Sequence, residues 1–210
     1  DGLTWQRVGE AGAISDSRKQ EGKRDWKPIA ERATFLPYGT SRKADWDWGQ
    51  VYPFDPPLIV GDQIWFYYQG LKGRHWFKYH KDPLDSGFGL ATLRLDGFVS
   101  VDAAQAGTLT TRRFIAIGDT LVINAKADGG EIRVEAIDAL GRVIPGFSKE
   151  ACTPIRGDSV RHVVSWKGGP NCHQLQARPI KLRFHLKTAS LFSFEFQIRR
   201  NHFVPLSFRQ

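Results

Sequence analysis

Asp45-Trp46-Asp47-Trp48, with Tyr52 close behind, is the densest polar–aromatic cluster in the chain. A flat ring offers an apolar face to a sugar, and neighbouring carboxylates accept hydrogen bonds from its hydroxyls. Two carboxylates on either side of one glycosidic bond can also serve as acid and base. If the cluster is extended, Asp45 and Asp47 lie on one strand face, roughly 7 Å apart at ~3.3 Å per residue. The pattern has an architectural reading too, with alternate Trp rings in a sheet core and the Asp side chains capping turns. Further on, Arg74-His75-Trp76 is set in a polar loop, with Tyr79 and His80 after it. Its imidazole titrates near neutrality and suits a general acid, and its arginine suits an acidic sugar. A solvated loop is the plainer reading. The candidate catalytic residues are therefore Asp45, Asp47 and His75. The candidate substrate-binding residues are Trp46, Trp48, Tyr52, Trp65, Arg74 and Trp76. No cofactor and no metal are expected, because Cys152 and Cys172 belong to no paired-ligand spacing. Those two thiols are either paired in an oxidising compartment or both free.

Lys181, Arg183, His185 and Lys187 alternate along one run and put four basic groups on one strand face. Such a face suits sulfate, uronate or phosphate groups, or simply keeps a strand soluble and guards its edge. Arg156-Gly157-Asp158 reads as an Arg–Asp turn pair. The whole chain carries a formal charge of +8. There is no Lys/Arg block and no nucleic-acid motif, and the basic face lacks the aromatic rings that single-strand binding uses. Nucleic acid is thus not the expected partner.

The elements that must carry these residues differ between the two ends. Six of the seven Trp and all five Tyr lie in the first 79 residues. Residues 1–87 hold 13 Lys and Arg against 12 Asp and Glu, and residues 88–210 hold 17 against 10. The sequence predicts an aromatic-rich segment over 1–87, a β-sandwich over 88–198 and a tail over 199–210. Residues 15–27, dense in charges of both signs, read as an exposed loop or a short helix. Pro53, Pro56 and Pro57 bar a helix, and Gln63–Gln69 reads as a strand by its aromatic enrichment. Residues 71–87 read as loop and linker. Beyond 88 the period is 2. Ile132, Val134 and Ala136 alternate with Glu131, Arg133 and Glu135. Ile180, Leu182, Phe184 and Leu186 alternate with the basic face, and Phe192, Phe194, Phe196 and Ile198 alternate with polar residues. This is the pattern of half-buried antiparallel strands. Turn signals at Asp128-Gly129-Gly130, Leu140-Gly141, Pro145-Gly146 and Gly168-Gly169-Pro170 separate six or seven of them. No stretch approaches the roughly 20 apolar residues of a membrane helix, so no membrane partner is expected. The chain begins at Asp1 and contains no Met, which is expected of a processed form or a fragment.

The run Gly89-Leu-Ala-Thr-Leu-Arg-Leu-Asp-Gly-Phe-Val-Ser-Val-Asp102 resembles the junction between a five-bladed propeller and a C-terminal β-sandwich in bacterial glycoside hydrolase family 32-like proteins of planctomycete type. Gly141–Ser148, Cys152–Ser159, Trp166–Gly168, Ile180–Leu186 and Ala189–Phe194 are similar to the same sandwich. Asp1-Gly-Leu-Thr-Trp5 looks like a blade-closing turn, and Trp46–Tyr52 with Gly61–Gly70 looks like a final blade. The family's Trp-x-Asn-Asp-Pro nucleophile motif is absent. Lys81-Asp82-Pro83 only echoes its Arg-Asp-Pro motif, and Glu150-Ala151-Cys152 its Glu-Cys motif. The resemblance implies an all-β protein: a jelly-roll-like antiparallel β-sandwich preceded by a short propeller-derived β segment. It implies recognition of a polysaccharide or oligosaccharide by an accessory or remnant module, in an extracellular or periplasmic setting. An active glycan-degrading enzyme, a hydrolase or lyase built on Asp45, Asp47, Arg74 and His75, is the alternative. One or two blades cannot close a propeller. The N-terminal segment is therefore expected to pack on the sandwich or to form a homodimer.

Overall fold

The computed structural model describes residues 35–73 and 85–198, and these are all-β and antiparallel, in two curled sheets. The strands are β1 (Gln50–Pro53), β2 (Leu58–Val60), β3 (Gln63–Leu71), β4 (Ser86–Arg94), β5 (Val101–Thr110), β6 (Phe114–Ile115), β7 (Thr120–Ile137), β8 (Ile155–Val163) and β9 (Pro179–Gln197). One 3-10 turn, His173–Leu175, joins them among the described residues. The charged segment 15–27, Asp1–Trp5, Lys81–Pro83, the tail 199–210 and the loop with Arg74, His75, Trp76, Tyr79 and His80 lie outside the described residues.

The chain divides into two compact units, and the division runs through β3 and β4 rather than between strands. Among the described residues, the first unit is 35–56, 66–73 and 85–91, and the second is 57–65 and 92–198. The expected boundary at 87/88 falls inside β4. In the first unit β1 pairs with the second half of β3, with Val51 opposite Gly70 and Pro53 opposite Tyr68. In the second, β2 pairs with the start of β3 across a two-residue hairpin, Val60 opposite Gln63. Gly61 sits there at φ 60, as the first central position of such a turn requires.

The larger sheet, in the second unit, has the order β5-β9-β7-β8, with β6 also on β9. Its core is what the alternation anticipates: Ile132, Val134, Ala136, Ile180, Leu182 and Phe184 are fully buried. Trp166 closes the core. Its Nε1 donates to the Val134 carbonyl at 2.9 Å, and its ring meets Phe147 edge-on. Cys152 and Cys172 are both buried and are not joined in a disulfide.

Three expectations about the strands are corrected. Asp128-Gly129-Gly130 is not a turn between strands but a bulge inside the 18-residue β7. Gly130 is needed there because a Cβ would lie 1.7 Å from the Lys187 carbonyl oxygen of β9. The two predicted runs 180–187 and 192–198 are likewise one 19-residue strand, β9. Their alternation breaks twice: at Thr188, where φ is 44 and the buried side passes from Leu186 to Ala189, and at Phe192, an extra residue bulged between Leu191 opposite Ala125 and Ser193 opposite Asn124. A one-residue offset moves every following side chain to the other face. Arg156-Gly157-Asp158 is strand, not turn: Arg156 pairs with Glu131, and Asp158 with Arg94.

Candidate functional site

Asp45, Trp46, Asp47 and Trp48 are not extended. They lie in the turns that precede β1. Asp45 closes its own loop: its Oδ2 accepts the Ser41 amide at 2.7 Å and the Thr40 hydroxyl at 3.4 Å. The Asp45 amide in turn donates to the Ser41 carbonyl at 2.8 Å. A short acidic side chain that bonds backbone this close in sequence competes with strand pairing, which is why the expected strand does not form. Asp47 Oδ2 accepts the Tyr68 hydroxyl at 3.2 Å. Burial, and then the Asp47 carboxylate beside it, raises the Tyr68 phenol above its ordinary value. The two aspartates do converge. A Cβ at Gly39 would lie 2.4 Å from Asp45 Cβ and 2.5 Å from Asp47 Oδ1.

The indoles of this cluster are packed into the sheet. Trp46 stacks on Tyr68 with centroids 5.6 Å apart and planes at 17°. Its six-membered ring lies against Gly70 and Gly87, where a Cβ would approach it to 2.3 and 2.9 Å. Trp48 is half-buried, with the Arg42 guanidinium 5.6 Å from its ring centroid. Trp65 belongs to the second unit, where its Nε1 donates to Gln63 Oε1 at 3.1 Å. Among the described residues, only Tyr52 of the expected binding residues in the first unit is exposed, and it leads to a surface the sequence did not single out.

Side chains alternate along a strand, and directly opposed residues share a face. The pairing of Tyr52 with Gln69 therefore puts Gln50, Tyr52 and Phe54 on one face of β1 with Tyr67 and Gln69 of β3. Phe88 of β4 joins them, its ring 5.9 Å from that of Phe54. Trp46 covers the opposite face, over Gly70 and Gly87. Exposure is 46% for Tyr52, 47% for Phe54, 42% for Tyr67 and 76% for Phe88. The Tyr52 hydroxyl donates to Gln50 Oε1 at 2.5 Å, and Gln50 Nε2 donates to the Gly73 carbonyl at 2.7 Å. That chain of bonds fixes the Tyr52 ring in its outward position.

The basic face of β9 is less open than its sequence implies. Antiparallel pairing sets Glu131 opposite Lys187 and Glu135 opposite Arg183. Arg183 Nη1 donates to buried Glu135 at 2.6 Å. Arg133 and Arg156 both hold Glu131, at 2.9 and 2.5 Å.

No protein-family model matches the chain, and no curated protein and no solved structure matches it either.

Proposed function

We propose that this protein recognises carbohydrate, holding a glycan chain on the exposed aromatic face of its first unit. The observation that carries this reading is the array of Tyr52, Phe54, Tyr67 and Phe88, facing solvent beside Gln50 and Gln69. Contiguous apolar surface of this kind marks an interaction site on a protein. Rings flanked by amide side chains match a ligand with alternating apolar and hydroxyl-bearing faces. The bond chain Tyr52–Gln50–Gly73 supplies preorganisation, which lowers the entropic cost of binding. Trp46 supports this face from the opposite side of the sheet rather than touching ligand. Asp45 and Asp47 act as loop and Tyr68 partners, so binding without turnover is the expected behaviour.

A panel of neutral and acidic polysaccharides, assayed for retention and for released reducing or unsaturated ends, tests the reading. Retention without release is expected. Phe88→Ala and Tyr52→Ala should each weaken it at least about tenfold, on the order of 1.4 kcal/mol per ring. Full retention by both variants removes the aromatic face from consideration. Release that disappears in Asp45→Asn or Asp47→Asn would replace the binding role with a catalytic one. A dimer in sedimentation that Phe88→Ala dissociates would reassign the face to self-association.

A further inference from the structure

Both neighbours of β9 bulge at the same height. The β5 register shifts between Ala103 and Ala106, and the β7 register between Lys126 and Glu131. Both shifts face the stretch from Lys187 to Ala189, where Thr188 sits at φ 44. A β-branched residue in that region is strained and is held there by its surroundings. Bulges re-aim the side chains next to them. Here they border a shallow cleft of about 330 Å³ on the face away from the core, lined by Thr108, Glu131, Arg133, Lys149, His185 and Lys187 among others.

The charges around this cleft do not cancel. Glu131 is taken by Arg133 and Arg156, and Glu135 by Arg183. Arg133 also donates to the Cys152 carbonyl at 3.1 Å. Among the described residues neither Lys149 nor Lys187 forms an ion pair. His185 Nε2 is buried 3.3 Å from Glu135 Oε1 yet makes no aligned hydrogen bond. Two ammonium groups, an imidazole beside Glu135 and the Thr108 hydroxyl thus line a concave site whose lining carboxylate, Glu131, is already held by two guanidiniums.

We propose that this cleft binds a single oxyanion, the sulfate ester or carboxylate of an acidic glycan, through Lys149 and Lys187, with His185 and Thr108 as further donors. That the anion belongs to a glycan rests on the aromatic-face reading; the oxyanion chemistry of the cleft does not. A polynucleotide fits less well. Glu131, Glu135 and Glu150 near the cleft repel a continuous row of phosphates, and no aromatic ring lines it for a base to stack on.

The full chain is titrated with chondroitin sulfate, with unsulfated chondroitin, with a neutral glucan and with random duplex DNA. Lys149→Gln, Lys187→Gln, their double variant and Phe88→Ala are compared, each with its thermal midpoint checked. Each lysine change should weaken chondroitin sulfate about tenfold and leave the neutral glucan unaffected. Inorganic sulfate should compete with the charged chain in the parent and not in the double variant. Loss of lysine-dependent affinity on desulfation identifies the sulfate as the recognised group, and its persistence identifies the carboxylate. A folded double variant that binds chondroitin sulfate as well as the parent overturns the site. DNA bound as tightly, with the same lysine dependence, overturns the assignment to a glycan. If Phe88→Ala leaves every glycan untouched while the lysine variants lose chondroitin sulfate, the aromatic-face reading fails and the cleft stands.

Discussion

Glu131 concentrates more charge than any other carboxylate of the larger sheet. The Arg133 guanidinium that hydrogen-bonds it, with Arg156 and Lys187 nearby, holds its carboxyl below the ordinary value of 4.5. A carboxyl depressed on folding contributes stability above its unfolded value, and that contribution is lost as pH falls through the folded one. The urea midpoint of the parent should therefore drop between about pH 5 and about pH 3. Glu131→Gln should start lower at neutral pH and show a shallower acid slope. Equal slopes in the two proteins would mean that the pair is too solvated to matter. At this scale the sequence was a partial guide. It singled out Asp45, Trp46, Asp47, Trp48 and Tyr52 as a cluster, and the aspartates do converge on Gly39. Which ring faces solvent was not legible, because β3 carries aromatics on both faces. Only the path of residues 40–48 decides which face is covered.

At the scale of elements, alternation located the strands and their buried faces, and glycine placed several turns, at Gly141, Gly146 and Gly169. It misplaced Asp128-Gly129-Gly130 for a physical reason. A glycine pair serves equally to reverse a chain and to let one backbone approach another. Gly130 does the second. Gly130→Ala forces β7 and β9 apart at the point where Glu131 meets Lys187, and should cost about 3 kcal/mol or more in denaturant unfolding. Gly168→Ala, with nothing within 4 Å of its added methyl, is the matched control and should be near neutral. Similar losses in both would show that the bulge tolerates a side chain. The basic face of β9 teaches the same lesson in charge. Its four basic residues were visible in the sequence, but which were neutralised depended on the register that set Glu131 and Glu135 opposite them.

For the whole molecule, the chain forms two compact units with different surfaces. Exposed rings mark the first, and a partly neutralised cationic face marks the second. Pro57–Trp65 groups with the second unit, and a strand shared by two units carries one continuous sequence pattern, so no single cut in the sequence marks this division. The order β5-β9-β7-β8 places β9, the last of these strands in the chain, between two that precede it. A ribosome delivers β5, β7 and β8 first, and the two long strands that flank the gap have no partner there until residue 197 emerges. Until then Ile132, Val134 and Ala136 face water, and the nascent chain must be kept from pairing with other chains. A chain ended at Arg178 should show no cooperative unfolding transition and should collect in the insoluble fraction. A soluble, cooperatively unfolding product of that length would mean that the sheet can assemble without its central strand.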